Sequence, residues 1–159
     1  VANFIQGTQQ RGLLFGNKVT NLAQTPPNSG SSATLFTVSG GSVLVTLLAG
    51  HVSTVLSGTT GAVALGQTPT GGSAATGGIA TAGVVGGAAV GTWVSAVPLS
   101  TGLPGAIQAN VLAGTAVGIG QAIIVNAGII TVTTSVATMT GKIDWYLMYV
   151  PLDDGASVA

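Results

Sequence analysis

Charge is what this chain lacks most. Its 159 residues include three basic and three acidic side chains and one histidine, for a net charge of zero. An ordinary globular domain has about 25% charged residues. Between Lys18 and Lys142 there is no Asp, Glu, Lys or Arg, and His51 is the one side chain there that can protonate near neutrality. A surface without charge favours association, so the chain is expected to work packed against copies of itself or against a larger assembly. Three scattered basic residues cannot make the basic stripe of a nucleic-acid binder, and they offer nothing to anionic lipid. Cysteine is absent, which excludes a disulfide framework and any thiolate metal site. Seven aromatic residues are too few for the two aromatic girdles of an outer-membrane barrel.

The mean hydropathy is nonetheless positive, +0.69. Residues 79–97 and 111–130 are uncharged and long enough to span a bilayer as helices of roughly 20 residues. Both are broken by glycines (Gly83, Gly86, Gly87, Gly91; Gly114, Gly118, Gly120, Gly128) and neither has a basic flank to orient it. The expectation is no membrane span and no nucleic-acid partner.

What fills the chain is Gly, Thr, Ser, Ala and Val. Twenty-six glycines set against β-branched residues disfavour long helices and suit short strands joined by tight turns. Thr34 to Val38, Val43 to Ala49 and His51 to Ser57 read as strands separated by turns at Gly40-Gly41 and Gly50. Both faces of the second are apolar, with Val43, Val45 and Leu47 on one side and Leu44 and Leu48 on the other, which predicts a central strand or a subunit contact. Ala62 to Gly66 is a further short strand and Gln67 to Gly78 a loop. In the last third, Ile130, Val132, Thr134 and Val136 form one face of a strand. Ile143, Trp145, Leu147 and Tyr149 form the inner face of another, opposite Lys142, Asp144, Tyr146 and Met148, and ended by Pro151. Residues 1–33, with Pro26-Pro27 and a Ser/Gly run, read as an extended N-terminal arm; residues 34–159 read as a single β domain. The fold class is all-β, an antiparallel β-sandwich or jelly-roll-like barrel.

Chemistry has few candidates. His51 lies in a strand pattern, where a lone histidine is more often packed than catalytic. A Ser-His-Asp set would have to draw on Asp144, Asp153 or Asp154, and no Gly-x-Ser-x-Gly elbow accompanies it. Asp153-Asp154 supplies too few oxygens for a divalent cation and reads as a solvated turn. Gly118-Ile119-Gly120 is an incomplete dinucleotide fingerprint, and Gly141-Lys142 is followed by Ile143 where a phosphate loop needs Ser or Thr. The expectation is no enzyme and no cofactor. Trp145 reads as core; for Trp93, core and interface anchor are equally good readings.

Two segments carry a resemblance. Leu35-Phe36-Thr37-Val38-Ser39-Gly40-Gly41-Ser42-Val43-Leu44-Val45-Thr46 resembles an opening found in small virion structural proteins of tailed bacteriophages, and the stretch from Gly141 to Gly155 resembles their closing strand and tail. Together these cover about a sixth of the chain. The resemblance implies a non-enzymatic capsid decoration or cement protein on the virion surface, a homo-oligomer (trimer favoured) whose partner is the major capsid protein. It also implies that Phe4, Leu13, Leu14 and Phe15 anchor the arm, with Val43, Val45 and Trp93 in the oligomer contact. The alternatives are a phage tail or fibre component that binds a host surface, or a small-ligand-binding β-barrel.

Overall fold

The computed structural model describes residues 16–72, 75–96, 107–110, 122–135 and 138–159. Among these, every regular element is a strand: β1 (Asn17–Gln24), β2 (Ser32–Ser39), β3 (Val43–Thr54), β4 (Ala62–Pro69), β5 (Ala75–Val84), β6 (Trp93–Ala96), β7 (Ile107–Asn110), β8 (Ile123–Val125), β9 (Gly128–Ser135), β10 (Lys142–Pro151) and β11 (Ser157–Val158). They form two antiparallel sheets. One has the order β1-β10-β3-β6-β7, with β8 sharing the far edge of β3; the other has the order β11-β2-β9-β4-β5. The protein is an all-β sandwich of these two sheets. No helix among the described residues is long and apolar enough to cross a membrane.

The core lies between the sheets, and simple alternation builds most of it. In β10, Ile143, Trp145, Leu147 and Tyr149 are buried while the residues between them are not. Ile130, Val132 and Thr134 of β9 do the same from the other sheet, and Phe36, Leu56 and Leu65 complete the largest inward side chains. The apolar side chains removed from water here are each worth about 1.5–3 kcal/mol.

Strand β3 departs from the expected pattern in two places. It runs unbroken for 12 residues, so Gly50 is not a turn. A Cβ on Gly50 would stand 2.7 Å from Ile143 Cγ2 and 3.1 Å from the ring of Trp145; the glycine makes room for the indole where β3 and β10 pair. The second departure is a register shift between Met148↔Leu47 and Tyr149↔Val45, a bulge at Thr46 that reverses the alternation. Val43 and Val45 face inward before it, and Leu48 and Val52 face inward after it. Leu47 therefore shares the outward face with Leu44.

Two other boundaries shift. Residues 17–24, within the expected arm, form an edge strand along β10 in register Asn17↔Tyr149 to Asn21↔Trp145. With Val19 and Leu22 as its larger apolar side chains, β1 shows little amphipathic signal. The expected loop 67–78 is mostly strand: β4 continues to Pro69, the turn lies at 70–72, and β5 has begun by Ala75. Backbone pairing, to which Thr, Gly and Ala are no obstacle, extends both strands.

Candidate functional site: the outer face of the first sheet

The outward residues of β1, β10, β3, β6 and β8 form a surface whose two ends differ. At one end a row crosses three strands: Val150 pairs with Leu44, and Leu44 with Ile124. Ile124 is 61% exposed and Val150 38%. Leu152, just beyond β10, is exposed beside them. The loop geometry behind this end is fixed by Asp153, whose Oδ2 accepts the Ser42 N–H at 2.7 Å. Ser42 in turn donates from its hydroxyl to Asn126 Oδ1 at 3.1 Å, and its carbonyl accepts the Leu152 N–H at 3.0 Å. Gly16 lies against the Tyr149 carbonyl and Val150.

Roughly 13–20 Å along the strands, at a rise of about 3.3 Å per residue, the surface becomes aromatic. Asp144 of β10 pairs with His51 of β3, and His51 with Trp93 of β6. The rings of His51 and Trp93 are 5.0 Å apart, and those of Trp93 and Tyr146 5.8 Å. Lys18 of β1 places its ammonium 5.0 Å from the Tyr146 ring centre, a cation–π contact. The result is a ledge of four side chains, Lys18, Tyr146, Trp93 and His51, from four neighbouring strands. Trp93 keeps 37% of its surface exposed.

Asp144 is held at the edge of this ledge. Its Oδ1 accepts the Ala23 N–H at 2.7 Å and the Ser53 hydroxyl at 3.1 Å. Ala23 sits at φ +56 where the register of β1 on β10 slips, an unfavourable conformation for a residue with a Cβ; the carboxylate secures that irregular peptide. Two residues along β6 from Trp93, the Ser95 hydroxyl is buried without a hydrogen-bond partner among the described residues, as is that of Thr92.

The structure sorts the candidate residues as follows. Trp145 is core, 1% exposed. Trp93 is at the surface, 37% exposed. Val43 and Val45, expected in an oligomer contact, are inside the sandwich at 0% and 4% exposure; the outward apolar side chains of this strand are Leu44 and Leu47, because of the bulge. Phe4, Leu13, Leu14 and Phe15 lie outside the described residues. Asp153 is a hydrogen-bonding anchor of the β2–β3 turn. His51, Ser53 and Asp144 are brought together, but Ser53 donates to Asp144 directly, whereas a nucleophile needs the order hydroxyl, imidazole, carboxylate. No group of three or more His, Asp or Glu side chains placed to share a cation occurs among the described residues. The ledge itself was not legible beforehand: its members lie at 18, 51, 93 and 146, with Asp144 at the edge, and only strand register makes them neighbours.

Comparison with protein-family models, with curated proteins and with solved structures finds no match to this chain.

Proposed function

We propose that this chain is a non-enzymatic structural protein that works as a homo-oligomer on a larger shell, of the bacteriophage capsid decoration or cement type, with the major capsid protein as its partner. The observation that carries the oligomer is the exposed apolar row Val150–Leu44–Ile124 on a chain with almost no charge to keep it dispersed. Exposed apolar surface of this kind is buried when copies meet around an axis. Two features support the virion setting. One is the resemblance of residues 35–46 and 141–155 to phage virion proteins. The other is strand order: β1-β10-β3-β8 facing β2-β9-β4-β5 reads as a jelly roll, with β6 and β7 inserted before β8. Jelly rolls are a common capsid architecture, among other uses of the fold.

On this reading residues 1–15 supply the reach. They join the described residues at Gly16, beside the apolar row, and carry Phe4, Ile5, Leu13, Leu14 and Phe15; a segment of that length spans at most about 50 Å. The test is co-sedimentation with shells of the capsid protein encoded alongside this chain. Saturable binding by the full chain, lost on deletion of residues 1–15 while the oligomer persists, is the expected result. No binding of the full chain contradicts the cement reading. The deletion must stop before Asn17, because removing β1 would bare the edge of β10.

A further inference from the structure

Aromatic and ionisable side chains are scarce in this chain, and among the described residues half of the ionisable ones lie around the two aromatics that keep surface. Among the described residues the aromatics are Phe36, Trp93, Trp145, Tyr146 and Tyr149. Phe36, Trp145 and Tyr149 are buried; Trp93 and Tyr146 are the two that keep surface, and they touch. Of six Lys, His and Asp side chains among the same residues, Lys18, His51 and Asp144 border that pair. The outer face of the other sheet carries hydroxyls instead, with Ser32, Thr34, Thr37, Thr131 and Thr133 on β2 and β9.

We infer that the Trp93–Tyr146–His51 ledge, with Asp144 at its edge, is a binding site for a neutral saccharide. A pyranose presents apolar C–H faces and a rim of hydroxyls that both donate and accept. An exposed indole offers a flat apolar surface with a polar edge, and a fixed carboxylate is a strong acceptor for hydroxyls. Asp144 is fixed: both its bonds, from Ala23 and Ser53, fall on Oδ1, so Oδ2 stays an acceptor without cost in side-chain freedom. His51 adds a ring nitrogen beside Trp93. Other ligand classes fit less well. A polyanion would find one ammonium, Lys18, where several are needed. A divalent cation would find one carboxylate where it takes six or more oxygens. A purely apolar partner would bury Asp144 and His51 unsatisfied.

The site lies at the opposite end of the sheet from the apolar row, so it stands or falls apart from the oligomer. The protein contains its own reporter. Trp145 is sealed in the core, so a change in tryptophan emission on adding sugar comes from Trp93. Cellohexaose and maltohexaose, titrated separately into the full chain to millimolar concentration, test the site. The expected result is a saturable emission change with one of them. Calorimetry with that sugar should then show binding abolished by Trp93→Ala and weakened about tenfold or more by Asp144→Asn. The Asn keeps the Oδ1 acceptor for Ala23, so it serves where Trp93→Ala alters folding. Unchanged emission with both sugars overturns the inference, as does undiminished binding by Asp144→Asn and Trp93→Ala. An emission change that follows protein concentration without sugar would assign the ledge to a second copy and also overturn it.

Discussion

At the scale of single residues, the sandwich depends on a few positions whose side-chain volume is fixed by one neighbour. Gly50 is the clearest. Adding one methyl there drives into Ile143 and the Trp145 ring, and overpacking of this sort costs about 1–3 kcal/mol. Gly50→Ala should lower the unfolding free energy, measured by urea denaturation, by that amount. Thr134 is the opposite case. Its hydroxyl is fully buried and without a partner among the described residues, and an unsatisfied buried polar group costs about 1–3 kcal/mol. Thr134→Val, which replaces the hydroxyl by a methyl of nearly the same size, should raise stability by about 1 kcal/mol in the same assay. Ala23, at positive φ, should accept glycine with no loss, whereas Ala23→Val should destabilise by about 1–2 kcal/mol because a β-branched residue cannot settle there.

At the scale of elements, what sequence could show depended on how cleanly a strand alternates. In β9 and β10 one face is core and the other is not, so period two gives the buried set Ile130, Val132, Ile143, Trp145, Leu147 and Tyr149 directly. β3 was legible as a central strand because both its faces are apolar, but its facing was not. The bulge at Thr46 shifts the alternation by one, and a one-residue shift turns every later side chain over. Gly50 looked like a turn because glycine usually marks one, and only its pairing with Trp145 shows otherwise. β1 was invisible because an edge strand needs no apolar face; it is joined to β10 through backbone bonds and through the Asp144 carboxylate. Asp144→Ala removes the acceptor from both the Ala23 N–H and Ser53 and should loosen β1 first. Amide exchange at Val19 to Ala23 should quicken by about tenfold, on the roughly 1.5 kcal/mol such a bond contributes, with exchange in β9 unchanged. Equal protection in the variant would mean that β1 is held by the backbone ladder alone.

At the scale of the whole molecule, the two sheets present different chemistry to their surroundings. One offers hydroxyls from strands β2 and β9. The other offers an apolar row at one end and an aromatic, charged ledge at the other. That division follows from the near absence of charge: with three basic and three acidic side chains in 159 residues, each exposed apolar or ionisable side chain stands out against Thr, Ser and Gly. The apolar row is the part that a solvated monomer tolerates least. Val150→Asp or Ile124→Asp, each placing a carboxylate in that row, should break the proposed oligomer into folded monomers. Circular dichroism should stay unchanged, since both side chains point away from the core.

The most direct test of the central claim is the mass of the purified full chain in solution by light scattering at low micromolar concentration. The account predicts a closed oligomer, a trimer favoured, that the Val150→Asp exchange reduces to monomer. A stable monomer of the unaltered chain at that concentration would contradict it, because the exposed apolar row would then be compatible with life in solution and the argument from missing charge would fail.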